Sequence, residues 1–429
     1  MLEPANNERA ISAEKVPTAL AVFYGEERVG TIRDTSPLVF EYAASWLTRQ
    51  PTKPLSQIPL QAGPISSARV EAYFENLLPE GELRAYIAEQ RKASTLFGML
   101  LEVAGDTAGA FVIVPEGQAP LPPHYEPTTW EAIAATLATK SASAIDLKGR
   151  GARISLAGAQ DKASIAIFDD GLPQLPRGTA PSTHILKPDI RRLAKVRESA
   201  INETLIMRTA AHCGMPTAEV FYQALTRCCV VRRFDRVATA SGLSRLVQYD
   251  LCQLAGIRSE KKYEKEGGPG LAQCAALIRK ASSQPAVDLR NFVTWVFFNL
   301  FTGNNDSHAK NLSLYEMPGK GVILTPFYDL MCTRIYPGLS QDFAFEIGGE
   351  SRPGAIGRTQ IIAMAKALDM GSAFTLSIAK SLAERLPAAL DEAFADIQQT
   401  LSPGGRVFAE KLVMWVKSST KKTARRLEE

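Results

Sequence analysis

The stretch that most constrains this 429-residue chain is an apolar helix that stops abruptly at an acidic, amide-rich loop. Leu289, Phe292, Val293, Val296, Phe297 and Leu300 fall at i, i+3, i+4, i+7, i+8 and i+11 behind Asp288, which has the chemistry of an N-cap, so a deeply buried helix is expected. Gly303 is placed to end it. The loop Asn304-Asn305-Asp306-Ser307-His308-Ala309-Lys310-Asn311 then leaves a rigid support. Beyond it Leu312 and Leu314 alternate with Ser313 and Tyr315, residues 318–321 turn the chain, and Val322-Ile323-Leu324 returns. That hairpin carries Tyr328-Asp329 back, so Asp306, Asn311 and Asp329 can converge. Read alone, an Asn/Asp-rich loop is equally an ordinary turn.

Composition narrows the class. With 45% hydrophobic residues the chain can bury a sizeable core in two or three domains. Its six cysteines show no C-x-x-C spacing, and the adjacent Cys228-Cys229 pair suits neither a disulfide framework nor a zinc site, which points to a reducing cytosol. The first residues lack a basic segment followed by an apolar run, and the most apolar stretch, 292–301, is about half the ~20 residues a bilayer requires. A soluble, cytoplasmic protein is expected, with no membrane partner. The net charge of +4 does not mark a nucleic-acid binder. Basic residues do cluster at Lys187, Arg191, Arg192, Lys195 and Arg197, and again at Lys411, Lys417, Lys421, Lys422, Arg425 and Arg426; solvated faces are the simpler reading, phosphate-binding patches the sharper one.

Taken in order, residues 1–115 read as an N-terminal α+β subdomain. Strands are expected at 20–24 and 28–32 around Gly25-Glu26, a strand or a helix at 40–47, helices at 70–78 and 82–87 broken at Pro79, and a buried strand at 111–114. Nothing here has the residue types of a catalytic site. Residues 116–128 have the composition of a Pro-rich linker, with His124 exposed. Residues 129–236 form the next unit: a helix at 130–137, then strand, small-residue turn and strand at 153–167, a pattern shared by phosphate-covering loops and plain hairpins. The strand 183–188 ends in Lys187 before Pro188, and Glu203 follows in a helix at 198–213. That is the order of the lysine–glutamate pair of protein kinases, although a surface lysine and a surface glutamate would look the same. Phe234, in the apolar-to-charged stretch 229–236, is placed either to pack on an adenine or within the core. Residues 237–429 turn mostly helical.

The spacing of Asp306 and Asn311 is the D-x-x-x-x-N of a kinase catalytic loop. In that chemistry Asp306 orients or accepts the proton of an attacking hydroxyl, Asn311 and Asp329 hold Mg²⁺ through oxygen, and Lys187 adds positive charge beside the phosphates. His308 is an acid, a base or a brace. The expected fold is α+β: a two-lobed protein-kinase-like fold with the added N-terminal subdomain and a mostly helical C-lobe.

Seven ordered stretches resemble the HipA family of toxin kinases: Asn76-Leu77-Leu78-Pro79-Glu80-Gly81; Ser155-Leu156-Ala157-Gly158-Ala159-Gln160-Asp161-Lys162; Thr183-His184-Ile185-Leu186-Lys187-Pro188; Arg233-Phe234-Asp235-Arg236; Lys262-Tyr263-Glu264 with Gly267-Gly268-Pro269-Gly270; the Asp306 loop; and Leu324-Thr325-Pro326-Phe327-Tyr328-Asp329. The resemblance implies an ATP-dependent serine/threonine kinase with Asp306 catalytic, Asn311 and Asp329 on Mg²⁺, and Lys187 on ATP. It also implies that Ala157, Gly158, Ala159, Gln160, Asp161 and Lys162 cover the phosphates, that Arg232, Arg233 and Phe234 hold the adenine, and that His308, Lys310 and Tyr328 complete the ATP site. Ser155 matches the family's autophosphorylated serine, whose phosphate would repel ATP and inactivate the enzyme. An aminoacyl-tRNA synthetase as substrate and a HipB-like helix-turn-helix antitoxin that contacts operator DNA are implied as partners. Arg232 stands where the family often has glutamate, and the residues flanking Asp306 differ from the family's. The competing expectation is a catalytically silent module acting with the antitoxin as a transcriptional co-repressor.

Overall fold

Alternating apolar residues near the start of the chain build an antiparallel sheet backed by helices. The structure, a computed structural model, describes residues 17–49, 55–103, 107–138, 160–191, 193–239 and 242–429. β1 (Ala19–Tyr24) and β2 (Glu27–Arg33) form a hairpin, followed by β3 (Val39–Tyr42) and α1 (Ala44–Thr48). The stretch whose spacing fitted either element is thus both. β4 (Ile65–Ser66), α2 (Ala68–Glu75), α3 (Gly81–Arg91), α4 (Leu96–Val103) and β5 (Phe111–Pro115) complete the unit, in the sheet order β4-β3-β2-β1-β5. Every residue of β5 is buried, and Phe40, Phe74, Leu100 and Ile113 meet in the core. Between α2 and α3 the chain turns at Pro79; Glu80 is extended and Gly81 takes a positive φ of 54°.

The Pro-rich segment is more than a connector. Its β6 (His124–Pro127) pairs antiparallel with a later strand and becomes the edge of a second sheet, with His124 exposed as expected. After α5 (Trp130–Ala138) come β7 (Ala163–Ile167), β8 (Pro173–Arg177), β9 (His184–Pro188), α6 (Ser199–His212), β10 (Val220–Gln223) and β11 (Cys228–Arg232), in the order β10-β11-β9-β7-β8-β6. α6 is buried along nearly its whole length, so Glu203 lies inside rather than on the surface. Lys187 pairs with Cys229 and Pro188 with Cys228, so the lysine lies one residue from the end of β9, against β11.

The final unit starts with β12 (Arg236–Thr239), β13 (Gly242–Arg245), β14 (Gln248–Asp250), α7 (Leu251–Ala255) and α8 (Leu271–Ala281). α9 (Pro285–Thr302) follows, then β15 (Ser313–Met317) and β16 (Gly321–Leu324), the expected hairpin, which joins β14 in one small sheet. α10 (Arg358–Ala367), α11 (Ser372–Ile397) and α12 (Pro403–Glu428) pack behind. α9 is the hub: Trp295, Phe298 and Phe301 are buried as fully as Phe292 and Phe297, so its C-terminal half is enclosed all round rather than on one face, while its first turns leave Val287 and Arg290 exposed. Asp288 is not its N-cap. The helix starts three residues earlier at Pro285, and the buried Asp288 carboxylate accepts from Ser282 Oγ (2.6 Å), Gln284 Nε2 (2.9 Å) and the Leu324 backbone N–H (2.8 Å), tying the base of α9 to β16. Gly303 does end the helix, at φ 72°, with its N–H on the Asn299 carbonyl. All six cysteines are free and buried. Among the described residues no helix is long and apolar enough to cross a membrane.

Candidate active site

A cleft of about 610 Å³ opens where the second sheet faces the α9 loop, lined in part by Ile185, Lys187, Val231, Phe234, Asp306 and Asp329. Strand β9 aims the Lys187 ammonium inward, where Glu203 Oε1 lies 2.5 Å and Asp329 Oδ1 2.7 Å away. Burial disfavours that charge, but the two carboxylates outweigh it and hold the ammonium well above the ordinary lysine range. Asp329, whose side chain stays 44% exposed to the cleft, is the reciprocal case: its partial desolvation would raise the carboxyl, and Lys187 and Lys162 together hold it well below the usual range. Its other oxygen accepts from Asn311 Nδ2 at 3.1 Å. The backbone at Asp329 is left-handed, φ 59°, a conformation that turns the side chain back toward the loop after the hairpin.

The loop itself is anchored from beneath. Asn304 Nδ2 donates to Asn299 Oδ1 (2.8 Å), the Asn305 backbone N–H to Thr333 Oγ1 (2.8 Å), and Ser307 Oγ to the Asn304 carbonyl (3.1 Å). Above these tethers the Asp306 side chain is 53% exposed to the cleft, and its Oδ1 accepts a hydrogen bond from the Tyr263 hydroxyl. His308 is buried. Desolvation and the nearby Lys262 push its imidazole down to about 4, so it is neutral at pH 7; it sits edge-on to the Tyr263 ring at 5.2 Å, a brace more than an acid. Lys310 does not face open space. Its ammonium is caged by the Asn76 carbonyl (3.1 Å), Asn76 Oδ1 (2.7 Å) and Asp250 Oδ2 (3.2 Å), with Glu80 Oε1 at 3.6 Å.

The residues expected near the nucleotide are distributed unevenly. Ser155, Ala157, Gly158 and Ala159 lie outside the described residues. Gln160 and Lys162 line the cleft, Gln160 donating to the Pro188 carbonyl at 3.3 Å. Burial, reinforced by the charge of Lys187, lowers the Lys162 ammonium to about 8. Phe234 lines the cleft and also packs on Tyr328 (5.6 Å between ring centres) and Tyr315 (5.8 Å). Tyr328 in turn bridges Ser313 Oγ and the Lys310 carbonyl at 2.7 and 2.9 Å. Arg232 is exposed and paired with Glu219 at 2.8 Å, while the buried Arg233 guanidinium bonds Asp235, Ser182 and the Thr107 carbonyl, so its side chain joins the N-terminal unit to the sheet. Asp161 is half-buried.

One expectation is overturned. The N-terminal subdomain does supply polar residues to the site: Asn76 and Glu80 line the cleft, and Glu80 Oε2 accepts from Lys262 Nζ at 2.8 Å. Burial alone would raise the Glu80 carboxyl, but Lys310 and Lys262 prevail and bring it to about 2. Together with Tyr263, Lys262 and Asp250, these are residues whose types and local spacing carry no catalytic signature. Only the family resemblance of stretches 76–81 and 262–264 singled any of them out.

An acceptor carboxylate at the mouth, two oxygen-donor side chains behind it and a buried ion-paired lysine constitute a site suited to phosphoryl transfer, since hard oxygen ligands favour Mg²⁺ and a fixed cation favours phosphate. Comparison with known proteins gives the same class. Residues 20–114 match the HipA N-terminal domain family, and residues 154–396 match the HipA-like C-terminal domain family. The serine/threonine-protein kinase toxin HipA of Shewanella oneidensis is 31% identical over 378 residues, covering 82% of this chain and 83% of that protein. The protein "Putative kinase Y4mE" of Sinorhizobium fredii is 37% identical over 322 residues, 72% of this chain and 75% of its own. A chain from the solved complex of Shewanella oneidensis HipA, HipB and operator DNA superposes with a TM-score of 0.79 at 26% identity, covering 95% of this chain and 97% of that one. The α+β, kinase-like architecture expected from the sequence is therefore shared, and the chain belongs to the HipA family of serine/threonine-protein kinase toxins.

Proposed function

We propose that the chain transfers the γ-phosphoryl group of ATP to a protein serine at the cleft mouth, with Asp306 as the acceptor-side base. The observation that carries this reading is the run of hydrogen bonds from Glu203 to Lys187, Lys187 to Asp329 and Asn311 to Asp329, in the cleft that the half-exposed Asp306 also lines. The acceptor hydroxyl approaches Asp306, which takes up its proton as the Oγ–phosphorus bond forms and the bond to the ADP oxygen breaks. Asn311 and Asp329 would hold Mg²⁺, which supplies charge neutralisation along the phosphates. Lys187, kept charged and immobile by Glu203, binds phosphate oxygens, while Ile185, Val231 and Phe234 offer an apolar seat for a base and exclude water from it.

The finer assignments follow the family. We place the phosphate-covering segment at residues 157–162, autophosphorylation at Ser155, the substrate among aminoacyl-tRNA synthetases, and the partner in a HipB-like helix-turn-helix antitoxin that brings operator DNA. Incubation with labelled ATP and Mg²⁺ tests the central reading. Wild type should label itself or protein in a bacterial lysate, and Asp306→Gln should bind a fluorescent ATP analogue yet transfer nothing. A wild type that binds nucleotide and labels no protein removes the kinase reading, and an Asp306→Gln variant with wild-type transfer removes Asp306 from it. Mass spectrometry after incubation with ATP checks Ser155, and co-purification with the product of a neighbouring helix-turn-helix gene checks the partner.

A further inference from the structure

The catalytic loop is fixed at its backbone, yet the Asp306 carboxylate itself stands half in solvent. Among the described residues it accepts one hydrogen bond, from the Tyr263 hydroxyl to Oδ1; His308 Nε2 lies 3.9 Å away. An exposed carboxylate without a donor would sample several rotamers, so the aim of the second oxygen at an acceptor hydroxyl depends on Tyr263.

What holds Tyr263 is not the lobe that carries Asp306 alone. Its carbonyl accepts from the N–H groups of Glu266 (3.0 Å) and Gly268 (2.9 Å), which fixes the backbone, while its ring meets His308 in a T-shaped contact and the Lys262 ammonium, 5.4 Å from the ring centre. Lys262 is in turn held by Glu80 of the N-terminal subdomain at 2.8 Å, with the two side chains only 14% and 8% exposed. The same carboxylate turns its other oxygen to Lys310, four residues beyond Asp306. One glutamate at the start of α3 thus grips both the loop that carries Asp306 and the turn that carries the donor to Asp306.

We propose that Glu80 is a positioning residue for phosphoryl transfer, setting the Asp306 carboxylate through Lys262 and Tyr263, so that the N-terminal subdomain is a working part of the active site. The inference rests on Asp306 being the catalytic carboxylate. Glu80 touches no reacting atom in this scheme; its effect is on orientation, and it belongs in the turnover rate rather than in nucleotide affinity.

The test compares full-length wild type with Tyr263→Phe, Glu80→Gln, the double variant and Asp306→Gln. Transfer of label from ATP to the chain and to bacterial lysate protein is measured against Mg·ATP concentration, and affinity for a fluorescent ATP analogue is measured alongside. Each single variant is expected to lower kcat by roughly tenfold to a hundredfold, with KM for ATP and analogue affinity within about twofold of wild type. If the two act through one chain of contacts, the double variant is no slower than the worse single; independent effects would multiply. The proposal is overturned by singles with wild-type kcat, by a multiplicative double, or by losses confined to KM. An active Asp306→Gln would instead overturn the reading on which it rests. Should Glu80→Gln not fold, Lys262→Met replaces it, since Glu80 then still faces Lys310 while the contact to Tyr263 is cut, and the same outcomes decide.

Discussion

Replacing Lys187 with methionine keeps most of the stem's volume and deletes the charge that two carboxylates share. Of those two, Asp329 is 44% exposed and can turn to water, whereas Glu203 is 2% exposed and cannot. Burial already raises the Glu203 carboxyl, with Lys187 as the principal force opposing it; without the lysine, burial and the negative charge of Asp329 both push it up, against only the weaker pull of Lys162. A charge left in that position would cost several kcal/mol, but the group can take up a proton instead. Its ordinary value of 4.5 is about 2.5 units below neutrality, and at about 1.36 kcal/mol per unit the proton uptake costs about 3.4 kcal/mol at pH 7. At pH 5.5 the same step costs about 1.4 kcal/mol. The sign follows from proton counting: in the variant the folded state binds the proton and the unfolded state does not, so stability falls as pH rises. Urea unfolding followed by tryptophan fluorescence should therefore show a Lys187→Met deficit near 3.4 kcal/mol at pH 7 that shrinks toward 1.4 kcal/mol at pH 5.5. In Lys187→Met/Glu203→Gln the pH dependence of the deficit should vanish. A deficit equal at the two pH values, or a double variant as pH-dependent as the single, refutes the claim that the lysine's main structural task is to keep a buried glutamate ionised.

Three further substitutions probe the loop and its support. Gly303→Ala puts a methyl group 2.5 Å from the Trp415 ring at a φ of 72°, so left-handed strain and overpacking together should destabilise the chain by roughly 2–4 kcal/mol and displace the Asp306 loop; a urea midpoint within error of wild type would contradict the helix-stop account. His308→Gln should flatten the acid side of the stability profile: His308 is near 4 when folded and 6.5 when unfolded, so the unfolded state binds more protons between those values and wild-type stability drops by up to about 1.4 kcal/mol per unit as pH falls through that window. His184, also near 4, keeps its own share in the variant, and an unchanged slope would show that His308 is not buried neutral. Asn311→Leu removes an amide from the proposed metal pair and should raise the Mg²⁺ concentration for half-maximal transfer by about tenfold or more with folding intact; an unchanged Mg²⁺ titration would leave Asn311 outside the metal site.

The parts of this molecule that could be read from its sequence are those whose causes are local. The stripe of Leu289, Phe292, Val296 and Leu300 announces α9 because helical periodicity repeats within a few residues, and Gly303 announces its end because only a residue without a side chain takes that backbone angle at no cost. The hairpin behind Asp329 is legible for the same reason. Lys187 and Glu203 could be set in order but not brought together, since a strand lysine and a helix glutamate look alike whether they meet or not; their contact follows from α6 lying beneath β9, which the i,i+4 pattern of its apolar residues alone does not reveal because α6 is buried on all sides. Asp288 shows how a local rule misleads. An aspartate ahead of an apolar run has the look of a cap, yet Pro285 is itself a favoured first helical residue, and the carboxylate was taken up by Leu324, 36 positions away. Distance along the chain also hides the N-terminal subdomain's contribution to the cleft. Glu80 meets Lys262 across 182 positions and Asn76 meets Lys310 across 234, and neither residue departs from what a surface loop would contain. Their burial is a property of the assembled cleft, so a glutamate of unexceptional surroundings can be the group on which the aim of the proposed catalytic carboxylate depends.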